Sequence, residues 1–193
     1  VMCHPYGDTP AYELTADDVV YSLEKAANPD RSAYAGEYAG MTFAAVDAST
    51  VKITLEQPLS PVLFYPKVAN YSGGFIVCKQ AVEALGDEAF KTQPVGTGPF
   101  MFDSYTPQEK VSLVANPDYF RGAPMLAGVD MRYIPDIASR EAGLLAGELD
   151  VINGIPDIAW VDRMASESSA SVDVFGVGEV ATVHFNITKA PLD

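Results

Sequence analysis

The sequence predicts a mixed α/β protein, and three observations predict it. Apolar residues recur at helical spacing in some stretches and alternate as in strands in others. Two prolines and two glycines crowd into residues 94–99 and divide the chain. Beyond that division, strand-like and helix-like runs alternate, as in an α/β lobe. Of 193 residues, 48% are apolar. That is enough for one good core or two small lobes.

The elements follow in order. "ELTADDVVYSLEKAANPD" is the clearest helix. Thr15 is its N-cap, Asp18 completes a capping-box pattern, and Asp17 and Asp18 suit the positive end of the helix dipole. Ala16, Val19, Val20, Leu23 and Ala27 share one face, and Asn28-Pro29 ends the helix. Residues 50–58 alternate Val51, Ile53, Leu55 against Lys52, Thr54, Glu56, a half-buried strand. Residues 60–69 read as a short helix with Pro61 in its first turn. "FIVC" (75–78) is expected as a strand, and "KQAVEALG" as a helix that Gly86 terminates. After residue 94 come strands at "FMFDSY", "KVSLVANP" and "VDMRYIP", then a helix at "DIASREAGLLAGE". "LDVIN" reads as a strand, "PDIAWVDRMAS" as a helix opened by Pro156 and Asp157, and "SVDVFG" and "VATVHFNI" as two closing strands. "NPDYFRGAP" is a turn-rich connection, with Asn116-Pro117 and Gly122 turning it and its aromatics pinning it.

The formal charge is −14, from 26 acidic against 12 basic residues. Nucleic-acid binding needs clustered Lys and Arg and is excluded on that count. Docking on anionic lipid is disfavoured for the same reason. No run approaches the roughly 20 apolar residues of a membrane span. Cys3 and Cys78 form either one disulfide in an oxidising compartment or two buried thiols. The chain starts on Val1 without a signal-peptide pattern and stops soon after a strand-like run. Both ends read as cuts in something longer.

Chemical constellations are weak. "PVGTGPFMF" (94–102) looks like a phosphate loop, but Pro99 removes a donor directly after Gly98. A strand follows instead of a helix, and Met101 stands where a dinucleotide fingerprint needs a third small residue. Gly96 and Gly98 therefore read as a tight reversal with positive φ at one or both, so Gly98→Ala is expected to cost about 1 kcal/mol. Asp17-Asp18, Asp87-Glu88 and Asp173 make a carboxylate-dependent hydrolase formally possible. Each also has a plain role at a helix end or on an acidic surface. His4 and His184 read as strand residues, and no metal-ligand spacing or nucleophile elbow occurs. Trp160 sits at core spacing with Val161 and Met164.

Six segments taken together carry a resemblance. "LTADDVVYSLEKAANPD", "PVGTGPFMFDSY", "NPDYFRGAP", "VDMRYIPD", "AGELDV" and "HFNITKAPLD" occur in that order over essentially the whole chain. The chain resembles the extracellular solute-binding proteins of peptide- and nickel-type ABC transporters, the dipeptide- and oligopeptide-binding group. The resemblance implies a periplasmic-binding-protein-like lobe segment plus the small extra domain of that group. Residues 1–92 would be the extra domain and 93–193 the middle of the first lobe, with the second lobe outside this chain. Gly96 and Gly98 would mark the junction. It implies a receptor, not an enzyme, that needs no cofactor or metal. Such a receptor captures a peptide or similar small solute outside the cytoplasm and hands it to an ABC permease. A solute sensor on the same scaffold is the alternative alongside the hydrolase.

The resemblance also implies two ligand-facing stretches. One follows "GELD" and gives Asn153 and Gly154; Asn153 also reads as a simple turn residue. The other precedes "FN" and gives Val177, Glu179 and Thr182. Glu179 departs from the aromatic or small residues common there. In a cleft it would favour a cationic or amine-bearing ligand; otherwise it is a solvated strand end.

Overall fold

The computed structural model describes residues 1–69, 72–167 and 169–175. The expected strand at "VATVHFNI", and with it His184, lies outside the described residues. The chain divides into two compact units, 1–133 and 134–193. Helices and sheets are mixed, as the sequence predicts.

The first unit opens with two short antiparallel strands, β1 (Met2–Cys3) and β2 (Tyr12–Glu13). Helix α1 (Ala16–Ala27) follows. Its capping box forms, with the Thr15 backbone N–H donating to the Asp18 carboxylate at 2.9 Å. Leu23 and Ala26 on its inner face pack with Tyr38, Met41, Phe43 and Ile53. The last three lie on an antiparallel hairpin, β3 (Met41–Asp47) and β4 (Thr50–Leu55). Strand β3 was not expected; Ala44 and Ala45 dilute its strand signal. Helix α2 (Pro61–Ala69) begins at its proline as expected. Tyr38 is 1% exposed and donates its hydroxyl to the Lys67 carbonyl at 2.9 Å.

"FIVC" forms no strand. Among the described residues no strand pairs with it; its Val77 amide donates instead to Ser22 Oγ of α1 at 2.9 Å. Helix α3 (Lys79–Phe90) has a break at Gly86, where φ is 78°. The helix stops there as the sequence predicts, and one further turn follows. Cys3 and Cys78 are joined by a disulfide and are fully buried, packed with Ala81 and Val95.

A three-stranded antiparallel meander closes this unit: β5 (Phe100–Thr106), β6 (Lys110–Ala115) and β7 (Gly128–Arg132). Among the described residues after 94, strands come first and helices after, where the sequence predicts alternation. The loop at 116–124 turns through Gly122, whose φ is 100°. Its anchor is Asn116, whose backbone N–H donates to the Pro99 carbonyl at 2.8 Å. The aromatics do less than expected, since Phe120 is 54% exposed and, among the described residues, meets its neighbours Tyr119 and Arg121.

In the second unit, helix α4 (Ile137–Leu145) and helix α5 (Ile158–Glu167) match expectation. Asp136 caps α4 by accepting from the Ser139 amide at 2.8 Å. "LDVIN" and the described part of "SVDVFG" form no strands. Both runs are short, and among the described residues neither is paired in a ladder; Val151 and Val174 are 87% and 72% exposed.

Candidate functional site

The glycine loop 94–99 carries a correction. Neither Gly96 nor Gly98 has a left-handed φ. A Cβ on Gly96 would meet nothing within 4 Å, and one on Gly98 only the Phe100 carbonyl at 3.7 Å. The expected cost of Gly98→Ala therefore has no basis. What the loop supplies is carbonyl oxygens. The His4 backbone N–H donates to the Gly96 carbonyl at 2.8 Å. The Gly98 carbonyl accepts from His4 Nε2 at 2.9 Å and from Asn116 Nδ2 at 3.1 Å. A carbonyl only accepts, so His4 carries a proton on Nε2, and its neutral form is the Nε2–H tautomer. Burial pushes its pKa below the ordinary 6.5, and the Gly98 bond partly offsets this.

The carboxylate pairs offer no acid–base couple. Asp87 receives both Lys25 and Arg31, at 2.9 and 2.8 Å. These bonds hold its pKa below the usual carboxylate range. Glu88 pairs with Lys91 at 2.6 Å. Asp18 is spent on helix ends: besides Thr15, it accepts from the Lys79 backbone N–H at 2.8 Å. Asp173 is exposed. Asp87, held below the usual range, lacks the raised pKa that a general acid needs.

Of the ligand-facing candidates, Val177, Glu179 and Thr182 lie outside the described residues. Asn153 and Gly154 sit together in the irregular segment between α4 and α5, and both are exposed. The Asn153 carbonyl accepts from Arg140 Nε at 3.1 Å. The same guanidinium donates through Nη1 to the carbonyls of Ile134 and Pro135, at 2.7 and 2.9 Å. Gly154 lies against the indole of Trp160: a Cβ there would sit 2.2 Å from Cη2. The indole N–H donates to Glu141, which also accepts from Arg163 Nη2 at 2.8 Å. Those two bonds, Arg163 foremost, lower the Glu141 pKa. Trp160 thus packs on a loop, while Met164, 1% exposed, supplies the core contact of α5. Nothing in the sequence alone announces Arg140, since its three acceptors are backbone carbonyls. A hollow of about 520 Å³ lies beside "GELD", lined by Leu144, Leu149, Asp150 and Glu167 among others.

The comparisons with known proteins agree in direction. The family model described as bacterial extracellular solute-binding proteins, family 5 Middle, matches residues 8–193. The chain is similar to the PBP/SBP MoaA from A.tumefacien R10, solved in complex with mannopinic acid. The TM-score is 0.88 at 41% identity, covering 100% of this chain and 38% of that one. Heme-binding protein A of Haemophilus influenzae is 29% identical over 96% of this chain and 36% of its own length. The probable D,D-dipeptide-binding periplasmic protein DdpA of Escherichia coli is 32% identical over 77% of this chain and 29% of its own. The chain thus spans about a third of the length of the relatives it matches. Matched by the family model over nearly its whole length, it belongs to the bacterial extracellular solute-binding proteins of family 5.

Proposed function

We propose that this chain is part of the substrate-binding component of an ABC importer. That protein captures a peptide or similar small solute between two lobes and delivers it to a membrane permease. The observation that carries the reading is the family match over residues 8–193, together with the likeness to MoaA along the whole chain. Residues 1–92 are read as the small extra domain and 93–193 as part of the first lobe, with Gly96 and Gly98 at the junction. Asn153 and Gly154 are read as one ligand-facing stretch, and Val177, Glu179 and Thr182 as another. Binding proteins of this kind work by domain closure, with the ligand selecting the closed state. No bond is broken, so no catalytic constellation is required. The buried Cys3–Cys78 disulfide supports a location in an oxidising, extracytoplasmic compartment. Among the described residues no helix is long and apolar enough to cross a membrane.

The test uses the full-length protein and three probes of different chemistry: mannopinic acid, D-alanyl-D-alanine and heme. A receptor gains thermal stability with its ligand in proportion to ln(1 + [L]/Kd), and the probe is recovered unchanged. Saturable conversion of a probe to product would overturn the receptor reading in favour of an enzyme.

A further inference from the structure

We infer that Arg140 and Trp160 are positioning residues, which hold the Asn153–Gly154 loop in the shape that receives solute. The inference rests on reading that loop as ligand-facing.

The loop between α4 and α5 has little of its own to fix it. It carries no regular structure, and its apolar side chains are poorly buried: Val151 is 87% and Ile155 40% exposed. Fixing such a backbone costs conformational entropy, about 1–2 kcal/mol per residue. Two side chains from the flanking helices supply the constraint. Arg140 of α4 binds one carbonyl of the loop and two of the segment before α4, at 2.7–3.1 Å. Arginine suits this task because its donors form a rigid planar fork; a lysine presents one compact charge on a flexible stem. Trp160 of α5 acts from the other side. Its six-membered ring occupies the space where a Cβ at position 154 would lie, with Cη2 at 2.2 Å and Cζ3 at 2.3 Å. Gly154 has no left-handed φ, so glycine is required there by the indole and not by the backbone angle. The ring in turn is fixed at its N–H by Glu141, and Glu141 by Arg163. Asp157 also accepts from the Trp160 backbone N–H at 2.7 Å, which seats the first turn of α5 at the end of the same loop.

The loop is therefore held by the protein's own side chains, and its exposed Asn153 carboxamide offers both donor and acceptor. Preorganisation of this kind raises affinity by removing an ordering cost from the binding step.

The experiment measures mannopinic acid, D-alanyl-D-alanine and heme affinity by calorimetry on the full-length protein, well below each variant's Tm. Arg140→Lys and Gly154→Ala should each weaken the probe that wild type binds by about tenfold, the scale of ordering one or two side chains on binding. Trp160→Phe shortens the side chain and removes the distal atoms Cη2 and Cζ3 that oppose position 154, so Gly154→Ala should cause no further loss of affinity when introduced into that background. If Arg140→Lys and Gly154→Ala lower Tm but bind with wild-type Kd, the positioning role is overturned while the receptor reading stands. If wild type binds none of the three probes, the reading and this inference fall together.

Discussion

At the scale of single residues, His4 is the group whose chemistry reaches furthest. It is 6% exposed, lies next to the disulfide in sequence, and bonds twice to the 94–99 loop. The sequence marks that loop through its glycines. The structure uses their carbonyls and leaves their φ ordinary, so a composition signal located the feature and misstated its cause. His4 has a consequence for pH. Its pKa is lowered in the folded chain, chiefly by burial, while the unfolded chain keeps the ordinary value near 6.5. On acidification the unfolded state takes up the proton first, so stability falls. The His4 contribution is complete above about pH 6.5 and is lost as pH drops through that value toward the lower folded pKa. The carboxylates with lowered pKa, such as Asp87 and Asp136, lose their contribution only below about pH 4, so the two windows separate. The urea midpoint should therefore fall between about pH 7.5 and 5. In His4→Gln, which keeps a donor but does not titrate, that fall should be shallower. Identical slopes in the two proteins would remove His4 as the cause.

At the scale of elements, one buried carboxylate couples two helices. Asp18 is 5% exposed and accepts from the backbone N–H of Thr15 and of Lys79, the first residue of α3. A side chain of α1 thus serves as the N-terminal cap of α3. The local half of this role is legible: Thr15 and Asp18 stand at capping-box spacing. The distant half is not, because nothing in a sequence says which helix end a carboxylate will meet. Asp18→Ala leaves the Lys79 N–H without its partner and should cost about 1–3 kcal/mol of unfolding free energy. Its exposed neighbour Asp17 is the control. If Asp17→Ala costs as much in the same urea titration, the bridge to α3 contributes nothing. The same division explains which elements could be read. Helices α1 to α5 and strands β4 to β7 carry their own period, caps or prolines, and they appear where expected. Strands β1 and β2 are two residues each and depend on each other. "FIVC", "LDVIN" and "SVDVF" have strand composition, but among the described residues no strand pairs with them, and composition alone does not make a ladder. In the proposed site, Asn153 and Gly154 are singled out only by the motif before them. Arg140 and the Trp160–Gly154 contact are not singled out, since both join positions through backbone carbonyls or bare backbone.

At the scale of the whole molecule, the Cys3–Cys78 bond does what the sequence left open. It spans 75 residues and ties β1 to the start of α3. Everything from α1 through the β3–β4 hairpin to α2 lies inside that covalent ring. The ring matters because the enclosed elements bury modest cores: the α1 cluster rests on Leu23, Ala26 and Tyr38. In the chain-entropy account, a loop this long removes about 4 kcal/mol of denatured-state entropy. The double variant Cys3→Ala with Cys78→Ala should lose stability on that scale, measured by urea unfolding under conditions where refolding is complete. Both sulfurs are fully buried, so a thiolate cannot approach them in the folded state. Reductant should leave the native protein oxidised and act only through unfolding. The reduced fraction should then rise with urea along the unfolding transition and not before it. Rapid reduction in the absence of denaturant, with the fold retained, would mean that the bond is reached without unfolding and that the ring is not what holds this unit closed.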